Sequence, residues 1–205
     1  MPKLLHISAS PRADASESLA IATTFLETLA EARPDITVQT WDLWDGSLPP
    51  FGRDAVAAKM EAFAGATSTA AGWRNAVAAF ERFAAADYYL FSVPMWNAGI
   101  PYILKQLIDV ISQPGLVFSF DPDAGYTGLV PGRPAVVVYT SAVYGPGRPP
   151  SFGSDFQAPY FDDWLRWAGF STITSIAFRP NLAAADADER RRRAHEAARE
   201  AAKRL

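Results

Sequence analysis

Tyr88-Tyr89-Leu90-Phe91-Ser92-Val93 runs into Pro94-Met95-Trp96-Asn97-Ala98-Gly99-Ile100-Pro101, and the amphipathic segment Tyr102 to Ile111 follows at once. A short apolar run, a Pro, Asn and Gly cluster and a helix starting at a second proline read as a buried strand, a sharp turn and a helix. In an open α/β sheet the ligand crevice lies outside such strand ends. Met95, Trp96 and Asn97 offer a flat heteroaromatic ring both stacking surface and edge hydrogen bonds.

Working outward, the same alternation recurs. Lys3 to Ile7 reads as a first strand, with a loop Ser8-Ala9-Ser10-Pro11-Arg12 after it. Ser16 suits the N-cap of a helix reaching about Ala32, with Leu19, Phe25, Leu26 and Leu29 towards one side. Ile36 to Trp41 makes a second strand, and a loop with Gly46, Pro49, Pro50 and Gly52 follows. Asp54 to Ala86 is Ala-rich helix, interrupted near Gly65 to Gly72. After the opening block, Leu116 to Tyr126 reads as a hairpin around Asp121-Pro122-Asp123-Ala124-Gly125. Ala135 to Tyr139 is the clearest buried strand. A long loop from Ser141 leads to a helix from Phe156 to Ala168, a strand Thr172 to Phe178 and a closing helix Asp186 to Leu205. Strands alternating with helices predict a doubly wound parallel sheet of five strands, order 2-1-3-4-5, with helices on both faces. At 205 residues, with no internal repeat and no long linker, residues 1–205 are expected to form a single domain.

Composition excludes several chemistries. There is no cysteine, which removes disulfides, thiolate nucleophiles, thiolate zinc sites and iron–sulfur clusters together. The two histidines, His6 and His195, are far apart in sequence, so a multi-histidine metal site is not expected. A net charge of −3 gives no general attraction to nucleic acid or to an anionic membrane. No apolar run approaches transmembrane length, and the N-terminus reads as strand rather than signal peptide. The absence of cysteine is compatible with a reducing cytoplasm, the expected location. Difficult chemistry therefore falls to an organic cofactor.

Three segments are candidates for holding it. Ser10, Arg12, Ser16 and Ser18 surround the start of the first helix, where free N–H groups and the helix dipole suit a phosphate. An ordinary serine cap is the bland alternative. No Gly-x-Gly-x-x-Gly follows the first strand and no Gly-x-x-x-x-Gly-Lys-Ser/Thr occurs, so a single terminal phosphate, as in FMN, fits better than a dinucleotide. Pro94, Met95, Trp96 and Asn97 form the second segment. There the Trp96 to Gly99 amides are expected to be free, facing a flavin edge; alternatively Met95 and Trp96 are core and Asn97 is a helix cap. Thr140, Ser141, Ala142, Val143 and Tyr144 form the third, closing the pyrimidine side, with Tyr144 bonding or covering that end. The alternative is a plain loop with one partly buried tyrosine.

Other features read as structural. Asp162 and Asp163 are adjacent on a helix and point about 100° apart, so they do not converge. Arg190 to Arg193 reads as a solvated helix face preceded by acids that suit the dipole. His6 reads as a satisfied residue within its strand. No Gly-x-Ser-x-Gly elbow supports a hydrolase.

On these residues the chain resembles the FMN-dependent NADH azoreductase and NAD(P)H:quinone oxidoreductase family of flavodoxin-like fold. The likeness rests on Ser8 to Ser18, on Pro94-Met95-Trp96-Asn97 through Pro101, Leu104-Lys105 and Asp109, and on Ser141 to Tyr144. It extends to Gly115-Leu116-Val117-Phe118 and Tyr126-Thr127-Gly128-Leu129. The resemblance implies that Ser10, Ser16 and Ser18 hold the FMN phosphate, that Met95, Trp96 and Asn97 line the isoalloxazine, and that Thr140 to Tyr144 hold its pyrimidine side. It implies two-electron, ping-pong hydride transfer from NADH or NADPH to a quinone or azo compound, with no catalytic side chain of the protein's own. It also implies a homodimer whose active sites lie at the interface. A non-enzymatic flavin-binding electron carrier on the same fold is the alternative. Ala98 stands where the family often has Phe, and Ser141-Ala142 where it has Gly-Gly.

Overall fold

The computed structural model describes residues 1–65, 69–130, 132–182 and 184–205. A five-stranded parallel sheet is built from β1 (Lys3–Ser8), β2 (Thr37–Asp42), β3 (Tyr88–Pro94), β6 (Pro134–Thr140) and β7 (Thr172–Phe178), in the spatial order β2-β1-β3-β6-β7. Counting sheet strands alone, this is 2-1-3-4-5. The remaining strands, β4 (Phe118–Asp121) and β5 (Gly125–Gly128), form a separate antiparallel hairpin. Its turn is closed by the Asp121 carboxylate, which accepts the Asp123 and Ala124 amides at 2.9 and 2.8 Å.

Helices cover both faces because the central strands are apolar on both. Along β3, Leu90 faces one way while Tyr89, Phe91 and Val93 face the other, as the two-residue period of a strand requires. The Leu90 face, with Leu4, Val136 and Val138, packs on α1 (Glu17–Ala32) and α6 (Ala187–Lys203). The opposite face packs on α3 (Ala71–Ala84), α4 (Tyr102–Ile111) and α5 (Ala158–Ala168) through Phe83, Leu107, Phe161 and Trp164. Each large side chain buried there contributes on the order of 2 kcal/mol. An additional helix, α2 (Arg53–Phe63), precedes α3. Part of the interruption expected between them falls on residues 66–68, outside the described residues.

The buried side of α1 is made by Ser18, Ile21, Ala22, Phe25 and Leu29; Leu19 is only partly covered. Helix α5 begins two residues later than its apolar run suggests. The Asp155 carboxylate accepts the Gln157 and Ala158 amides, both at 3.0 Å, and so fixes the first turn there. The β4–β5 hairpin lies so close to the end of α5 that a Cβ on Gly128 would come within 2.4 Å of the Ala168 carbonyl carbon. Only glycine fits there.

Candidate functional site

From β1 the chain crosses to α1 on one face, and from β3 to α4 on the other. Between these adjacent strands their following loops diverge and leave a crevice. The cavity found there has a volume of about 390 Å³ and is walled by the loops after β1, β3 and β6.

Its first wall is the start of α1. The Ser16 hydroxyl accepts the Leu19 amide at 3.3 Å, an N-cap, and lies 3.1 Å from the Ser18 hydroxyl. Ser10 is buried and accepts the Arg12 amide at 3.5 Å. The first intrahelical bond is Ala20 N–H to the Ser16 carbonyl, so the Glu17 and Ser18 amides lie ahead of it. Ser10, Arg12 and Ser16 line the cavity. Ser18 does not; it is fully buried beneath Ser16. Arg191 of α6 also lines this end, with its Nη2 2.9 Å from Glu17 Oε1. Reading Arg190 to Arg193 as a solvated face missed it, because nothing in the local sequence shows which arginine meets a residue 174 positions away.

The second wall is Pro94 to Asn97. The Met95 amide is held by the Thr140 carbonyl at 2.7 Å, which joins this wall to the end of β6. Trp96 and Gly99 exchange both backbone hydrogen bonds at 2.9 Å, closing a two-residue turn with Asn97 at φ 48° and Ala98 at φ 68°. Positive φ at both central residues is the type I′ arrangement. This corrects the expectation that the Trp96 to Gly99 amides are free: the two outer ones are consumed, and only the Asn97 and Ala98 amides at the tip stand apart from those bonds. Nor is Asn97 a helix cap. The residue preceding α4 is Pro101.

The third wall is Thr140, Ser141 and Ala142. The Ser141 hydroxyl donates to the Tyr144 carbonyl at 2.6 Å, turning the chain sharply away. Val143 and Tyr144 consequently lie outside the cavity lining, contrary to the expectation that Tyr144 covers one end. Its ring instead faces the Arg179 guanidinium, 6.0 Å from the centroid. The Ser141 and Ala142 carbonyls accept the Asn181 and Leu182 amides, at 2.8 and 2.9 Å, which brings both of those residues into the lining. The segment after β7 carries no motif that would have announced this.

A wider groove of about 990 Å³ shares Trp96 and Asn97 with the cavity. Its walls are Trp44, Phe51, Tyr102, Phe156 and Tyr160, with Lys105, Gln106 and Asp109 as polar groups. Trp44 is fixed by its indole N–H on the Ala9 carbonyl, 3.1 Å, and meets the Tyr102 ring edge-on at 5.2 Å. The loop after β2 supplies much of this wall, a contribution hidden in sequence by its turn-like composition. His6 stands apart: its Nε2 lies 2.9 Å from the Ser92 hydroxyl, and burial pushes its pKa down to about 4, so it is neutral near pH 7. Among the described residues there is no cluster of acids and histidines able to hold a metal ion, and no helix is long and apolar enough to cross a membrane.

The donor set fits a flavin mononucleotide. One end offers hydroxyls, free helix amides and two guanidinium groups for a phosphate; the other offers the Met95 to Asn97 turn and small residues for a flat ring.

A family model described as having a flavodoxin-like fold matches residues 2–205. An FMN-dependent NADH:quinone oxidoreductase of Ruegeria pomeroyi is 43% identical over 185 residues, covering 89% of this chain and 91% of that protein. Among solved structures, an azoreductase from Bacillus anthracis superposes with a TM-score of 0.88 at 24% identity, over 100% of both chains. An FMN-dependent NADH-azoreductase from the same species, in complex with FMN, gives 0.86 at 22%, over 100% of this chain and 99% of that one. These two likenesses concern the fold. The fold, the crevice at its switch point and the identity across nine-tenths of the chain agree: this chain belongs to the family of flavodoxin-like FMN-dependent NADH:quinone oxidoreductases.

Proposed function

We propose that this chain is an FMN-dependent oxidoreductase that moves two electrons from NADH to quinones and azo compounds. The observation that carries the reading is the junction at Trp96 and Asn97. There the crevice fitted for a flavin opens into a broad aromatic groove. An electron carrier needs only an exposed cofactor edge; a hydride-transfer enzyme needs room for flat substrates against the ring face, and this groove supplies it.

When bound, FMN supplies the redox chemistry by accepting and returning two electrons. The protein's part is binding and orientation. Ser10, Ser16, the first amides of α1 and Arg12 hold the phosphate, while Ser18 fixes the Ser16 hydroxyl from behind. Pro94, Met95 and Trp96 set the ring wall, and the Asn97 side chain offers both a donor and an acceptor to its polar edge. Thr140, Ser141 and Ala142 close the other side. Trp44, Tyr102 and Phe156 stack against flat donors and acceptors and exclude water from them.

The groove is completed by a second copy of this chain. Trp96, Tyr102 and Phe156 are 48, 68 and 67% exposed, a large aromatic surface around one site. Donor and acceptor use the same groove in turn. Initial rates of the FMN-loaded protein with NADH and benzoquinone both varied are expected to give parallel double-reciprocal lines. Intersecting lines would overturn alternating occupancy, and no NADH oxidation would leave an electron carrier.

A further inference from the structure

Four arginines follow one another in α6, and a helix turns them about 100° apart. Arg190 reaches Asp186 and the Arg179 carbonyl, whereas Arg192 and Arg193 both reach Glu189 on the exposed side. Only Arg191 of the four faces the crevice. Its guanidinium lies 5.3 Å from the Phe178 ring centroid, so its approach is set by packing as well as by charge.

The partners of Arg191 leave part of it available. Its Nε donates to Glu17 Oε2 at 3.4 Å, one Nη2 hydrogen goes to Glu17 Oε1 at 2.9 Å, and one Nη1 hydrogen goes to Asp188 Oδ1 at 2.9 Å. A guanidinium carries five N–H donors, so each Nη keeps one hydrogen beyond these bonds. Glu17 is the first residue of α1, beside the amides that precede the helical ladder. It therefore holds Arg191 over the same helix start that Ser10, Ser16 and Arg12 surround.

The contact is not required to join the helices. Ile21 and Phe25 of α1 already pack with Ala194 and Ala198 of α6, and the Thr24 hydroxyl lies 2.8 Å from His195 Nδ1. The pair also has a cost for an anionic ligand, because Glu17 places a negative charge beside the phosphate position. A carboxylate there makes sense as the post that presents Arg191.

We propose that Arg191 is a specificity-determining residue of the flavin site, selecting a phosphate monoester over the unphosphorylated ring system, with Glu17 as its positioning residue. The inference rests on the FMN-binding reading above. The two free N–H groups of Arg191 meet the dianion, the fork geometry of guanidinium suiting two phosphate oxygens. Glu17 tempers the attraction by like-charge repulsion.

The test compares FMN with riboflavin, which has the same ring and no phosphate, by flavin fluorescence titration. It uses the wild-type protein, Arg191→Met and Glu17→Gln. Arg191→Met is expected to weaken FMN by about tenfold or more while leaving riboflavin affinity unchanged. Glu17→Gln keeps only one of the two acceptors that hold Arg191, and the lost positioning outweighs the removed repulsion, so FMN binds a few-fold more weakly while riboflavin does not change. Equal loss of both ligands in Arg191→Met, or no loss of either, overturns the proposal. So does Glu17→Gln that weakens FMN and riboflavin alike. Wild-type protein that binds riboflavin and FMN equally overturns it too, while wild-type protein that binds neither defeats the underlying flavin reading.

Discussion

Ala98 occupies a backbone position that favours glycine or asparagine. Its φ of 68° is enforced because Trp96 and Gly99 close the turn from both sides and the Ala98 carbonyl accepts the Phe156 amide at 2.9 Å. A Cβ in the left-handed region costs about 1–2 kcal/mol, less the added chain entropy of glycine in the unfolded state. Ala98→Gly is therefore expected to stabilise the protein by up to about 1 kcal/mol in urea denaturation, with FMN affinity preserved. Lower stability would mean that the turn carries no such strain. In the sequence Ala98 marks only missing bulk beside the ring wall. Its left-handed backbone is illegible there, because alanine, unlike Asn97, gives no local sign of positive φ.

At the scale of elements, Arg179 ties together two walls that are separate in sequence. It is almost wholly buried, 2.6 Å from Asp155, and its guanidinium lies 4.8 Å from the Tyr139 ring centroid. Asp155 in turn fixes the first turn of α5, next to Phe156, whose amide holds the Ala98 carbonyl. The long segment from Ser141 to Gln157 is thus pinned at its far end to the strand and to the Trp96–Gly99 turn. Arg179→Met leaves Asp155 without its cation and is expected to cost roughly 3 kcal/mol in urea denaturation, with looser FMN binding as the turn relaxes. A variant as stable as the parent would show that the backbone amides alone satisfy Asp155. Element boundaries were legible in the sequence to within a few residues, since apolar runs, Ser16 and the proline and glycine breakers act locally. Partnerships such as Arg179 with Asp155, Arg191 with Glu17, or Leu182 with Ala142 were not. They are made by the tertiary arrangement of side chains and loops, and no local periodicity encodes them.

Across the whole molecule, the site follows from topology. Parallel strands buried on both faces force helices onto both sides, and the change of side between β1 and β3 opens the crevice at the carboxyl ends. That much was readable from alternating strands and helices, and the block Pro94 to Asn97 singled out in the sequence lines the crevice. The wide groove beside it was not, since it is assembled from the loop after β2, α4 and the start of α5. The groove matters because it separates an enzyme from a carrier. The most direct test is the visible spectrum of the FMN-loaded protein under anaerobic conditions, recorded before NADH, after NADH and after benzoquinone. The flavin absorption is expected to bleach on NADH and to return on quinone; bound flavin that NADH leaves oxidised would contradict the account.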